Sequence, residues 1–296
     1  MSNKARLLLV LKGVLIGLSD SVPGVSGGTI ALLTGVYARL LAAISAADIK
    51  ALRLLTRGDL AGFWLRIDGS FLACIALGML AGVLLSANTV LYALEVYPIP
   101  LAGFFMGLVL GAIFLLHRQF RLRGLLGPAL FAAGAALVAG LLWLEPGQTA
   151  TSNGELLLAG AVAICGMLLP GLSGAFLLIL LGAYERMLEA LVGFEWVPII
   201  FFVMGCALGL ALFSRFLTWL LRRFAEPTTT FIGGLLLGSL MVIWPWRLDD
   251  QAQPLLPWDY AVLTGAEPQQ GWASLALVAG FLLVIAIERL FRLREE

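Results

Sequence analysis

Charge is what this sequence has least of. Asp, Glu, Lys and Arg together make up 12% of its 296 residues, about half the roughly 25% that soluble domains carry. That scarcity excludes a soluble globular protein, and the complementary figure is a hydrophobic content of 61%. Histidine occurs once, as His117 beside Arg118 in a basic stretch, so it reads as a surface residue and not as a catalytic one. Cys74, Cys165 and Cys206 lie inside apolar runs without paired spacing. They read as small buried residues, not as a disulfide framework or a metal site. No catalytic residue, metal or cofactor is expected, nor a nucleic-acid partner; the net charge of +1 by itself says little.

What the chain has in quantity is long uncharged stretches. Crossing a bilayer takes about 20 apolar residues, and residues 69–94, 96–116, 124–144, 156–184, 196–214, 227–246 and 268–287 all approach or exceed that length. The chain is expected to be a polytopic all-α membrane protein without a soluble domain. Lys12 and Asp20 interrupt the first apolar run and no A-x-A site follows, so that run is expected to be retained and not cleaved as a signal. Residues 46–68 interleave Ile49, Leu52 and Leu55 with Lys50, Arg53 and Arg57. They read either as helix lying on the inner membrane face or as a solvated connector. Trp244, Trp246 and Trp258 flank a polar loop as interface anchors.

One stretch is written twice. Residues 19–37 read SDSVPGVSGGTIALLTGVY and residues 169–184 read LPGLSGAFLLILLGAY. A constant offset of 147 carries Pro23 to Pro170, Gly24 to Gly171, Ser26 to Ser173, Gly27 to Gly174, Gly35 to Gly182, Tyr37 to Tyr184 and Arg39 to Arg186. Proline and glycine stop a helix, and Ser26 or Gly27 can cap a new one, expected to run to about Ile44. The arm before the break, 13 residues from Leu7 to Ser19, reaches only about 20 Å. Each break therefore makes either a re-entrant hairpin or one kinked span.

Charge placement separates the two. Cations cluster on the cytoplasmic side. With re-entrant breaks and both termini cytoplasmic, only Arg186 and Arg247 of the 19 Lys and Arg residues fall on the far side; with spanning breaks the same residues divide almost evenly. Each half is then one re-entrant hairpin plus three transmembrane helices. Three is odd, so the halves, 1–150 and 151–296, enter from opposite faces as an inverted-topology repeat, an arrangement of secondary transporters. Gly103–Gly107 and Gly234–Gly238 are expected at matching places in the two halves.

Irregular backbone at membrane depth is tolerated only where protein or water covers it. Ser26, Gly27, Gly28 and Thr29 open one outgoing arm, and Ser173 and Gly174 the other. Helix N-termini suit anions such as phosphate, so these residues are candidate phosphate ligands; the structural alternative is that they only turn and cap. Arg39 and Arg186, beyond the breaks, are candidates for receiving an anionic headgroup or are snorkelling anchors. Asp20, matched by Met167 in the second half, is the candidate for a coupling proton or sodium ion, or else braces its hairpin.

The motif S-D-S-V-P-G-V-S-G-G-T, with the later L-P-G-L-S-G and the G-S-L-x-x-I-W-P-W of residues 238–246, resembles the bacterial polyprenyl-phosphate transporter family over essentially the whole chain. The resemblance implies return of undecaprenyl phosphate from the outer to the inner leaflet of the bacterial plasma membrane. The lipid that carries peptidoglycan precursors would thus be recycled, with membrane lipids as the other partners. Pro-Gly-x-Ser loops on inverted hairpins are also similar to those of intramembrane lipid-pyrophosphate phosphatases. Such chemistry wants a base or nucleophile with carboxylates and an arginine beside the loop. Here Ser26 is followed by two glycines, and the nearest Glu-x-x-x-Glu is Glu185–Glu189. A secondary transporter of a small soluble anion is the other rival. A scaffold has no use for two costly polar spots.

Overall fold

A computed structural model describes residues 3–20, 26–120, 122–144, 147, 149–150, 152–248 and 254–292. All regular structure among the described residues is helical. The first half holds α1 (Asn3–Asp20), α2 (Gly27–Leu33), α3 (Tyr37–Ser45), α4 (Ile49–Thr56), α5 (Leu60–Arg66), α6 (Gly69–Val96), α7 (Pro98–Leu116) and α8 (Leu126–Leu141). The second holds α9 (Asn153–Leu168), α10 (Gly174–Leu180), α11 (Tyr184–Val192), α12 (Trp196–Arg223), α13 (Ala225–Val242), α14 (Pro257–Thr264) and α15 (Gln270–Arg292). Segments Gly69–Ser86, Pro98–Gln119, Trp196–Arg223 and Gln270–Arg289 are long and apolar enough to cross a membrane. At the other two expected spans stand α8, with 16 residues, and α13, with 18. The protein is an all-α, multi-pass membrane protein.

The chain divides into two compact units, and each draws on both halves of the sequence. The first comprises Met1–Val83 and Glu145–Ala225, the second Leu84–Leu144 and Glu226–Glu296.

Both broken segments lie in the first unit and both are helical hairpins. In the first, Gly27 meets Asp20 while Lys12 Nζ donates to the Thr34 carbonyl at 2.7 Å. Residues 20 and 27, then 12 and 34, pair in opposite senses, so α2 doubles back along α1. In the second, Gly174 lies against Met167 and Leu177 against Gly166, so α10 doubles back along α9. Pro23 and Gly24 lie outside the described residues. The second break is a tight turn: the Leu172 N–H donates to the Leu169 carbonyl at 3.2 Å, with Pro170 and Gly171 between them and Gly171 at φ +90°. That is the chemistry of a type II turn, whose third residue needs the left-handed freedom of glycine.

The outgoing arm does not run unbroken to Ile44, as the sequence led us to expect. It stops at Leu33 and restarts at Tyr37, and α2 and α3 are bent by 114°. Gly35, at φ +71°, makes the second break, and Gly182, at φ +65°, repeats it between α10 and α11. The incoming arm is also longer than the apolar run alone, reaching Asn3–Asp20.

Long helices then repeat with a shorter offset. Helices α6 and α12 have 28 residues each, and an offset of 127 carries Gly69 to Trp196 and Val96 to Arg223. Their contacts repeat too. A Cβ on Gly78 or Gly82 would strike the carbonyls of Val10 or Val14; on Gly205 or Gly209 it would strike those of Leu157 or Ala161. Each carbonyl residue of α1 matches its α9 counterpart at the offset of 147. The drop from 147 to 127 is the insertion of α4 and α5, which have no counterpart between α11 and α12.

In the second unit α7 crosses α15 and α13 crosses α8, each pair closing over glycine. Gly107 lies on the Leu277 carbonyl and Gly111 on Val284, whereas Gly234 lies on the Phe131 carbonyl and Gly238 on Val138. The matching pairs are therefore Gly107–Gly111 and Gly234–Gly238, one turn away from the expected Gly103–Gly107. The sequence offset alone missed this, because glycines four residues apart look alike in either register. The G-S-L-x-x-I-W-P-W stretch ends α13 and pins the following loop. Trp244 Nε1 donates to Leu255 O and Trp246 Nε1 to Pro268 O, each at 2.8 Å, and Arg247 Nη1 caps the Val242 carbonyl at 2.7 Å.

Helices α4 and α5 carry exposed Ile49, Leu52, Leu60, Trp64 and Leu65 beside Lys50 and Arg57. Asp48 caps α4 and takes two bonds from Arg66, at 2.6 and 3.1 Å. Those Arg66 bonds hold its carboxyl well below the usual carboxylate range.

Candidate functional site

The two hairpins meet at their breaks. Helix α9 ends at Leu168, so its last carbonyls lack partners within the helix. Hairpin one supplies them. Tyr37 Oη donates to the Leu168 carbonyl at 2.6 Å, and Ser26 Oγ makes a longer contact of 3.5 Å with that of Leu169. Ser26 Oγ also accepts from the Gly28 N–H at 3.2 Å, capping α2 as expected of a serine at that place. Tyr37 and Ser26 are both buried, and Gly28 lies close to the Met167 carbonyl and Pro170. Replacing Tyr37 with Phe leaves the Leu168 carbonyl short of a partner. It is expected to cost about 1–3 kcal/mol, read as a lowered unfolding midpoint in detergent; an unchanged midpoint would show that this bond does not hold the hairpins together.

Asp20, the last residue of α1, reaches the start of α2, where its Oδ1 accepts the Gly27 N–H at 2.6 Å. A Cβ on Gly27 would fall 2.4 Å from the carboxylate, so only glycine admits this approach. The hairpin-bracing role weighed for Asp20 is thus present in the geometry. At the matching place in hairpin two, the Met167 side chain lies against Gly174, and Ser173 Oγ caps α10 by accepting from the Phe176 N–H at 3.4 Å. The two breaks share a backbone plan but differ in charge. Thr29 is buried in the first turn of α2.

Arg39 and Arg186 are not gathered around the breaks. Each is tied to an acid at the head of the next long helix. Arg39 Nε lies 2.7 Å from Asp68 Oδ2, with its guanidinium 4.3 Å from the centre of the Phe71 ring; Arg186 Nη2 lies 2.5 Å from Glu195 Oε2. Asp68 and Glu195 correspond at the offset of 127, just as the arginines correspond at 147. The Arg186 bond holds the Glu195 carboxyl below its ordinary range. The pair therefore persists at neutral pH and loosens only as pH falls through that lowered value. Sequence reading missed both acids because the α4–α5 insertion shifts their register. His117 lies exposed in a single 3-10 turn, His117–Gln119.

The second unit holds an apolar groove of about 560 Å³ between α7, α8, α13 and the loop after α13. Met106, Ala135, Leu237, Met241, Trp244 and Leu255 are among its walls.

Broken hairpins joined break to break and flanked by long apolar helices define a class, the multi-pass transporters built on discontinuous helices. Residues 16–254 match the family described as undecaprenyl phosphate translocase-like, and the chain belongs to that family. It is 37% identical over 292 residues to a polyprenyl-phosphate transporter of Vibrio cholerae serotype O1, covering 94% of this chain and 95% of that one. It is 32% identical over 257 residues to a polyprenyl-phosphate transporter of Staphylococcus aureus, covering 80% and 85%. No solved structure matches the chain.

Proposed function

We propose that this protein carries undecaprenyl phosphate across the bacterial plasma membrane, from the outer to the inner leaflet, with both termini cytoplasmic and the two halves in inverted topology. Membership of the translocase-like family is the observation that carries this reading. The substrate is a phosphate on a long apolar chain. Its head needs a polar spot inside the membrane, and its tail needs an apolar path that stays open to lipid. The joined breaks offer the first, through Ser26, Gly27, Gly28, Thr29, Ser173 and Gly174.

At hairpin one, phosphate and Asp20 compete for the same Gly27 N–H. An ionised Asp20 repels a phosphate there, and a protonated one no longer does. A bound proton or sodium ion would each remove that repulsion, and either can serve as the coupling ion. The matched pairs Arg39–Asp68 and Arg186–Glu195 link each hairpin to the following long helix, where they serve as latches that an arriving phosphate can exchange into.

A transporter is favoured over a phosphatase by the surroundings of Ser26. Its hydroxyl is engaged with Gly28 and Leu169, and no hydrogen bond to it from a base is found among the described residues. The test is leaflet-resolved transport of undecaprenyl phosphate in proteoliposomes. Ser26→Ala with Ser173→Ala is expected to slow transport more than either change alone. Wild-type rates from the double variant would remove the helix-end site. Release of phosphate from undecaprenyl pyrophosphate by the purified protein would replace the transporter reading with the enzyme.

A further inference from the structure

The last two turns of α12 and the end of α3 enclose an open cleft of about 390 Å³ in the first unit, lined by Ser45, Arg215, Thr218, Trp219, Arg222 and Arg223. Three guanidiniums on one wall is an unusual concentration in a chain so poor in charge. Arg215 Nη2 donates to the Ala47 carbonyl just beyond α3, at 3.1 Å, which aims its head toward the cleft's α3 side. Among the described residues no carboxylate lies within ion-pair distance of Arg215, Arg222 or Arg223. A second observation points the same way: the buried Thr218 hydroxyl has no hydrogen-bond partner among the described residues. Buried hydroxyls are rarely left so, and Thr218 is one of the residues that line this cleft.

The position suits a lipid headgroup. Rings of Phe213, Phe216, Trp219 and Phe224 form a ladder along this end of α12, with neighbouring centroids 5.6 to 6.2 Å apart. Trp219 is of the ring type enriched at the level of lipid headgroups, and Arg222 and Arg223 close the same apolar helix, a placement that suits a cleft opening at headgroup level.

The repeat sharpens the point. At the offset of 127, Arg215, Thr218, Trp219, Arg222 and Arg223 correspond to Asn88, Leu91, Tyr92, Glu95 and Val96. The two matched 28-residue helices thus end in opposite chemistry, three cations on one and a single acid on the other. Backbone duplication does not require this difference.

We propose that the α12–α3 cleft is a receiving site for a phosphomonoester dianion at the cytoplasmic leaflet, separate from the hairpin breaks. Arginine forks grip the phosphate oxygens in pairs, Thr218 supplies a hydroxyl, and the Trp219 ring flanks the first carbons of the chain. The cleft retains the headgroup on arrival, while the neutral-to-acidic end of α6 does not. The assignment of side and of lipid rests on the transport reading given above.

The test is equilibrium binding to the full-length protein in nanodiscs, alongside leaflet-resolved transport. The probes are undecaprenyl phosphate, the uncharged undecaprenol, inorganic phosphate and phosphatidylglycerol. Arg222→Gln with Arg223→Gln is expected to weaken undecaprenyl phosphate binding at least about tenfold, the factor that 1.4 kcal/mol represents, and to leave undecaprenol binding unchanged. Arg53→Gln with Arg57→Gln, on the surface helix, is expected to alter neither. Inorganic phosphate competing at concentrations near its cellular level supports the dianion site with free phosphate as an occupant; competition only by the prenylated form supports it with the lipid as occupant. Equal displacement by phosphatidylglycerol, or unchanged affinity in the Gln variant, overturns the proposal. Should the Gln variant not fold, Arg222→Lys with Arg223→Lys keeps the charge and loses the fork, and wild-type affinity there overturns it equally. A wild-type protein that moves no undecaprenyl phosphate would instead overturn the transport reading, whatever the cleft binds.

Discussion

Gly205→Ala lowers the unfolding midpoint of the detergent-solubilised protein, and Gly140→Ala does not. At Gly205 an added Cβ would sit 1.9 Å from the Leu157 carbonyl, on the backbone of the facing helix. No rotamer change relieves that contact, so α9 and α12 must separate and lose close packing along their whole crossing. Overpacking of this kind costs about 1–3 kcal/mol, and a chain this size loses roughly 2–4 °C per kcal/mol. Gly140, in α8, meets nothing within 4 Å. Alanine there gains up to about 1 kcal/mol of helix propensity, so its midpoint should hold or rise. Gly78, the repeat partner of Gly205, would place its Cβ 2.2 Å from the Val10 carbonyl and should behave like Gly205. Equal midpoints for the Gly205 and Gly140 variants would refute the close-crossing account, and a neutral Gly78→Ala would refute its duplication.

Asp20→Asn is expected to abolish undecaprenyl phosphate transport without unfolding the protein. The amide keeps an oxygen for the Gly27 N–H, so the brace between α1 and α2 survives in weaker, uncharged form. What it cannot do is take up and release a proton. Asp20→Ala removes the brace as well, leaving a buried N–H without its acceptor at about 1–3 kcal/mol, and should lower both stability and transport. The decisive comparison is transport against pH in proteoliposomes. Proton coupling through Asp20 requires the pH dependence of the wild type to disappear in the Asn variant. An Asn variant that transports at the wild-type rate, with the same pH profile, would leave Asp20 as a brace only.

Much of this was legible in the residues because the chain repeats itself. Pro170, Gly171 and Ser173 announce a stop, a turn and a cap by local chemistry alone, and the structure has them in those places. The second break at Gly35 was not legible. One glycine inside a run as apolar as residues 30–44 is common in membrane helices, and only its positive φ reveals the bend. The partners of Arg39 and Arg186 were hidden for a different reason. Asp68 and Glu195 follow an insertion of 20 residues in one half only, so a search at a single offset passes them by. The arginines of α12 were visible as charges on one side of the membrane. That they share a cleft depends on Ser45, which lies 170 positions earlier than Arg215, and no pattern along the chain brings those two together.

The bond from Tyr37 to Leu168 also has a consequence in time. The two residues are 131 positions apart, and synthesis runs at about 5–20 residues per second. Hairpin one therefore enters the membrane on the order of ten seconds before the carbonyl that its tyrosine will meet has been made. Through that interval its buried hydroxyls need a temporary partner, whether water, lipid headgroup or insertion machinery. The order in which the halves are born is thus part of how the molecule is assembled, and a circular permutant beginning near residue 151 would reverse which hairpin has to wait.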